Sequence, residues 1–290
     1  MKYVYSWRQR KKRILESWRS LRRNKAAMAG LVIITVLILL AVFAGVICDY
    51  DMVTDQNPSA RLEGPSAEHW MGTDHLGRDV FARMIYGARV SIGVGLLVVL
   101  ISTAIGGFIG SISALLGGRV DNIIMRFVDV FTCIPSMLMT LAMVAALGPG
   151  LGNMMIALCI NMTVGFIRVV RAAVLSIVNL DYISAARAGG FSTWKITLKH
   201  VMPNAIGIII VEGAMSVAGT ILSIAGLSFL GLGIQPPSPE WGAMLNEGRQ
   251  YMRTFPHLII FPGVAIILSA LAMNLLGDGL RDALDPRSKK

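Results

Sequence analysis

Six stretches of this 290-residue chain stay apolar for as long as a bilayer is thick: about 27–47, 90–116, 123–147, 151–172, 204–232 and 256–277. A helix needs roughly 20 such residues to cross the hydrocarbon, and only a helix satisfies its own backbone N–H and C=O groups where there is no water. The stretches are too long, and too often interrupted by Gly, to be the tilted strands of a barrel. Composition agrees. With 54% hydrophobic residues, 15% charged and a mean hydropathy of +0.64, too little polar surface is left to cover a water-soluble fold of this size. The expected fold class is an all-α integral membrane protein. A basic N-terminal segment, 1–26, precedes a domain over 27–290 with six transmembrane helices.

The formal net charge of +10 invites a nucleic-acid reading until the charges are placed along the chain. Residues 1–26 hold ten Lys or Arg, 117–126 hold two, 168–200 hold five and the segment from 281 holds four, which is 21 of 27. The connections 48–89 and 233–255 hold only Arg61, Arg78, Arg83, Arg89, Arg249 and Arg253, and most of the acidic residues. By the positive-inside rule both termini and the 168–200 region are cytoplasmic, and the other two connections are external loops. The basic excess is therefore topology, and nucleic acid is not an expected partner. Trp7, Ile14, Trp18 and Leu21 fall on one helical stripe among Arg and Lys, the pattern of a helix lying on membrane lipid. A long basic leader, with Ile47 before Cys48, predicts that the first span stays as a signal anchor. Three cysteines, two of them inside spans, offer no disulfide framework or metal spacing.

One polar insert, 181–203, separates the fourth and fifth spans. Asp181 is placed to cap a short helix, Gly189-Gly190 to end it in a left-handed turn, and Ser192 to cap a second helix that runs to about His200. Pro203 would then start the next span. The predicted product is a compact cytoplasmic helix-turn-helix suited to a partner's groove. Its landmarks are Ser184-Ala185-Ala186, then Gly190 after three intervening residues, and His200-Val201-Met202-Pro203 after nine more. This frame resembles the EAA loop of ABC-importer permeases, the element that docks into the ATPase. Ser184 stands in place of the acidic residue, and His200 and Met202 in place of Ile and Leu.

Other blocks extend the resemblance from about residue 20 to 287: Gly72-Thr-Asp-His-Leu-Gly-Arg-Asp79, Tyr86-Gly-Ala-Arg-Val-Ser91, Met125-Arg-Phe-Val-Asp129, Leu227-Ser-Phe-Leu-Gly-Leu-Gly233, Gln235-Pro-Pro-Ser-Pro-Glu-Trp-Gly242 and Asn274-Leu-Leu-Gly-Asp-Gly-Leu-Arg-Asp-Ala-Leu-Asp-Pro286. Together they are similar to the second permease subunit of dipeptide, oligopeptide and nickel ABC importers. The resemblance implies a bacterial plasma-membrane protein that forms a pore with a homologous permease. It also implies two cytoplasmic ATPase subunits, a periplasmic or extracellular binding protein and a peptide substrate. It implies no cofactor in this chain, with ATP and Mg on the ATPase subunits. The residues agree, since no Lys follows a Gly and the Gly-Lys-Ser/Thr phosphate cradle cannot be built. A nickel or metal-chelate importer of the same family, an ion-coupled secondary transporter and a non-transporting receptor or scaffold are the alternatives.

Within this frame Asp181, Ser184, Ala185, Ala186, Gly190 and Pro203 are the expected ATPase-coupling residues. Glu212, deep in the fifth span, is a substrate-pathway candidate by its depth, with Asn161 and Thr163 in the fourth. Glu212 could instead be protonated or bond a neighbouring helix. Asp74, Asp79, Pro237, Glu240 and Trp241, in the external loops, are expected to meet the binding protein. Arg126 and Asp129, three residues apart, are placed to neutralise each other. His69, Asp74, His75 and Asp79 do not have the spacing of a metal site. No nucleophile and base pair up, so no catalysis in this chain is expected.

Overall fold

The computed structural model describes residues 7–284, with backbone alone for 7–14. The stripe residues Trp7 and Ile14 therefore fall outside the described side chains. Among the described residues all regular structure is helical, apart from one isolated bridge between Thr73 and Asp79. In chain order the helices are α1 (Trp7–Arg23), α2 (Lys25–Val42), α3 (Ala44–Ile47), α4 (Asp51–Thr54), α5 (Val80–Leu116), α6 (Gly118–Thr132) and α7 (Ser136–Leu147). There follow α8 (Leu151–Val178), α9 (Asp181–Ala188), α10 (Thr193–Ile196), α11 (Met202–Phe229), α12 (Trp241–Gly248) and α13 (His257–Leu284). Five of these segments are long and apolar enough to cross a membrane, or six if α6 and α7 together make one span.

Small residues let the long helices meet. Gly106 and Gly110 of α5 lie against α8 so closely that an added Cβ would sit 2.5 Å from Phe166 Cβ and 2.6 Å from the Ile167 carbonyl oxygen. This is the small-xxx-small spacing by which helices in lipid bring their backbones together. Gly30 of α2 does the same against α13, where its Cβ would lie 2.5 Å from the Ala272 oxygen. The main core runs through this bundle, joining residues of α2, α5, α8, α11, α12 and α13.

Three departures from the sequence pattern bear on function. Helix α5 begins at Val80, ten residues before the apolar run that predicts it, because Asp79 caps it by accepting from the Ala82 N–H at 2.7 Å. At about 1.5 Å per residue its 37 residues reach some 55 Å, well beyond a hydrocarbon core of about 30 Å. The predicted third span, 123–147, is not one straight helix: α6 and α7 meet at 84° where Pro135 cannot continue a helix. Nor does the chain break before the fifth span. A π-helical turn over Thr197–Val201 carries α10 into α11, so that Thr193–Phe229 is one span of 37 residues. The wider turn absorbs the missing N–H and the ring of Pro203, which lies in the first turn of α11.

Candidate functional site

At the expected inner end, α9 and α10 form the predicted helix-turn-helix. Gly190, at φ +74°, supplies the left-handed residue, with its N–H on the Arg187 oxygen at 3.0 Å and the Phe191 N–H on the Ala186 oxygen at 3.2 Å. These two bonds are the Schellman pattern that satisfies a helix's last carbonyls. The Ser192 hydroxyl caps α10 by accepting from the Lys195 N–H at 3.4 Å. Contrary to the expectation from the sequence, Asp181 does not cap α9. Leu180 holds the cap position without a side-chain bond, and Asp181 is the first helical residue, where its charge favours the positive helix end.

This unit is fastened to the bundle. Ile183, Ala186 and Ile196 are buried against Ala114 and Leu115 of α5, Val170 and Val174 of α8, and Ala205 and Ile209 of α11. Arg187 donates to the Leu115 carbonyl at 3.0 Å. Ala186, expected to meet a partner, therefore faces this chain's own core. Asp181, Ser184, Ala185, Gly190 and Pro203 are exposed. Sequence reasoning missed the aromatic part of the same surface. Trp194 is 59% exposed, with its ring 5.3 Å from Phe108, and Phe191 stacks on His200 at 6.2 Å beneath the Lys195 ammonium.

Higher in the bundle, α7, α8 and α11 line a half-open cavity of about 600 Å³. Glu212 and Asn161 both line it; Thr163 does not, and its carbonyl oxygen lies instead where α8 touches Gly106 of α5. Asn161 donates from Nδ2 to the Ser136 carbonyl at 2.9 Å and to the Thr140 hydroxyl at 3.0 Å, joining α8 to α7. Below it, Asp129 pairs with Arg168 at 2.8 Å rather than on its own helix with Arg126. Asp121 takes Arg171 through two bonds, of 2.5 and 2.6 Å, and accepts a third from Ser113 at 2.6 Å. These pairs bind α6 to α8 and α5.

The expected outer end is built on buried charge. Asp74 Oδ1 accepts from the Leu76 and Arg78 N–H groups at 2.8 and 3.0 Å, which shapes the 74–78 turn. Its Oδ2 accepts from Arg78 Nε at 2.7 Å and from Arg83 Nη1. Glu247 of α12 accepts from both guanidiniums as well, from Arg78 Nη2 at 2.8 Å and from Arg83 Nη1 and Nη2 at 2.7 and 3.2 Å, so that Arg83 Nη1 is shared by the two carboxylates. Burial alone would raise the Asp74 carboxyl; Arg83, Arg78 and the two backbone donors bring it below its usual range. Glu240 accepts from the Ala243 N–H at 2.9 Å and from the Ser91 hydroxyl at 3.0 Å, while Trp241 Nε1 donates to the Met84 carbonyl at 3.0 Å. Burial pushes the Glu240 carboxyl up, against the opposing hydrogen bonds from Gly242, Ala243, Ser228 and Ser91. His69 Nδ1 lies 2.8 Å from Asp79.

The expected binding-protein contacts need correction here. Asp74, Asp79, Glu240 and Trp241 are each no more than 5% exposed and hold α5, α12 and the 69–79 loop together; of the five only Pro237 is exposed. Asp74, His75 and Glu247 do bring potential ligand atoms within 4.8 Å of one another. Both carboxylates are already held by Arg78 and Arg83, whose positive charges oppose a metal ion.

Residues 106–290 match the family described as "Binding-protein-dependent transport system inner membrane component". Residues 14–65 match the N-terminal TM domain of oligopeptide transport permease C. The chain is 44% identical over 274 residues, 94% of its own length and 90% of the relative's, to the dipeptide transport system permease protein DppC of Alkalihalophilus pseudofirmus. It is 43% identical, with 94% and 91% covered, to the glutathione transport system permease protein GsiD of Pectobacterium atrosepticum. To GsiD of Escherichia coli O157:H7 it is 44% identical, with 94% and 90% covered. The chain belongs to the family of binding-protein-dependent transport system inner-membrane components. Within it the chain is a permease of the OppC/DppC/GsiD type: a multi-pass, non-catalytic subunit of an ABC importer that works with ATPase and binding-protein partners. Membership sets aside the ion-coupled transporter and the scaffold.

Proposed function

We propose that this chain forms one half of the pore of an ATP-driven importer of dipeptides or oligopeptides, paired with a homologous permease. Two cytoplasmic ATPase subunits grip the α9–α10 unit and its counterpart, and a binding protein releases peptide at the opposite end. Both termini lie on the ATPase side, in keeping with the distribution of Lys and Arg. The names of the relatives, for dipeptide and glutathione transport, favour a peptide over a nickel chelate.

The observation that carries this reading is the packing of α9 and α10 onto the ends of α5, α8 and α11 at once. A push on the exposed face is transmitted to three membrane helices, one of which, α11, continues from α10 without a break. The cavity lies between α8, α11 and α7, so relative motion of these helices would open or close it. Alternating access then needs no chemistry in this chain.

Ala185 is the residue to test, because it is exposed where Ala186 is buried. Ala185→Arg should leave abundance and pairing with the sister permease intact while weakening co-purification of the ATPase pair about tenfold, as a bulky charge overfills a close contact. Undiminished co-purification and substrate-stimulated ATP hydrolysis would remove the docking assignment.

A further inference from the structure

The cavity between α7, α8 and α11 carries one charge. Of its lining residues only Glu212 is ionisable, and among the described residues no group pairs with it. Its position is specific. Glu212 stands 19 residues after Thr193 and 17 before Phe229, halfway along the 37-residue span. From the start of α11 at Met202 it is ten residues in, about 15 Å along the helix, on an otherwise apolar stretch. An acidic side chain on an apolar membrane helix is costly and persists where it faces a pathway or finds a cation.

Its surroundings choose between these. Along α11, Glu212, Ser216, Gly219 and Ser223 recur every three or four residues and line the cavity as one stripe. Facing them, Asn161 spends its Nδ2 donors on Ser136 and Thr140, which leaves its carbonyl oxygen as an acceptor. Met137, Leu158 and Phe166 fill out the walls. Polar acceptors from α8 and α11 therefore line the same partly apolar cavity, and among the described residues no cationic side chain lines it.

We propose that Glu212 is the carboxylate that receives the amino-terminal ammonium of a peptide in transit, with the Asn161 carbonyl as a second acceptor. This rests on the peptide-importer reading above. A primary ammonium carries three donors and needs acceptors grouped around one point, whereas the peptide's own carboxylate is repelled by Glu212 and must lie away from it. Substrate would thus pass this level with its amino group toward α11.

The test uses the complete importer in proteoliposomes, with sister permease, ATPase pair and binding protein, and a tripeptide supplied free or N-acetylated at saturating concentration. Glu212→Gln should lower uptake of the free peptide about tenfold or more, since a charge-assisted contact is lost, and should leave the acetylated peptide within about twofold. Glu212→Asp, which keeps the charge, should retain uptake of the free peptide within about threefold of the unaltered importer, whether or not the acetylated peptide is carried. An equal fall for both peptides, or an Asp variant as impaired as the Gln variant, overturns the proposal. So does a Gln variant that loses the sister permease while the Asp variant keeps it, which would make Glu212 an intersubunit contact. If the unaltered importer carries neither peptide, the peptide assignment itself fails and the ammonium site with it.

Discussion

The buried quartet of Asp74, Arg78, Arg83 and Glu247 permits a test in which the second substitution repairs the first. Two carboxylates balance two guanidiniums, and both arginine side chains are 2% exposed. In Asp74→Asn the new amide oxygen can stay on the Leu76 and Arg78 N–H groups, which both use Oδ1, so the turn survives. The new amide nitrogen then stands where Oδ2 accepted from Arg78 Nε and Arg83 Nη1, so that donor faces donors and one positive charge is left over. Removing one partner of a buried pair costs about 3–5 kcal/mol; with Glu247 still bound to both arginines, a value near the lower limit, about 3 kcal/mol, is expected. On the scale of domains this size that is a fall on the order of 5–10 °C in unfolding midpoint. Adding Arg83→Met removes the surplus charge and one opposed donor while leaving Arg78 on Glu247 at 2.8 Å. The double variant should therefore lose about 2 kcal/mol less than the sum of the two single variants. Thermal unfolding of the detergent-purified complex, followed by tryptophan fluorescence, measures all three. Losses that add to within about 0.5 kcal/mol, or a neutral Asp74→Asn, would refute the charge-balance account. The pH dependence has a definite sign. Because the folded Asp74 carboxyl lies below its unfolded value, the quartet's contribution is complete above the unfolded value and is lost only as pH falls through the lower folded one. Acidification to about pH 5 should leave it intact.

Glu240 has the opposite sign: its raised carboxyl stabilises the fold in the protonated form, and that contribution is lost as pH rises through the folded value. Glu240→Gln should therefore flatten the fall in unfolding midpoint above the ordinary carboxylate range, and an unchanged slope would assign it to another group. Gly190→Val places a β-branched residue at φ +74°, where the space is open but the backbone is strained by about 1–2 kcal/mol or more, whereas Gly190→Asn tolerates that geometry. ATPase co-purification should fall for Val and persist for Asn. Gly110→Val should abolish accumulation in the membrane, because its Cβ would meet the Ile167 oxygen at 2.6 Å, while Gly93→Ala, with open space around it, should accumulate normally.

The spans and the inner helix-turn-helix were legible in the sequence because each rests on a local signal: apolar length for the first, and Gly190 with Ser192 for the second. Local spacing also held more than it yielded. Ile183 and Ala186 are three residues apart on the apolar face of α9, so Ala186 had to turn inward and leave Ser184 and Ala185 outside. Thr163 lies about 200° around the helix from Asn161, so only one of them can face the chamber that Glu212 lines. The outer quartet gave no such sign, since Arg83 and Glu247 are 164 residues apart and their pairing exists only once α12 has folded against α5.

The bent third span lies between these cases. A hydropathy window averages α6 and α7 into one membrane crossing, yet the first half carries Arg119, Asp121, Arg126 and Asp129, a charge density that no lipid-facing helix bears. Helix α7 has 12 residues, about 18 Å, and cannot cross a core of about 30 Å alone. The chain must therefore turn at Cys133–Pro135, with α6 set at an angle to the bundle and its carboxylates directed at cations on a neighbour. Arg171 and Arg168 of α8 meet Asp121 and Asp129 there, so two arginines that the positive-inside rule explains by side alone also hold the bent segment in place. Because only Asn179 and Leu180 separate α8 from α9, a displacement of α9 that carried α8 with it would reach α6 through the same two ion pairs.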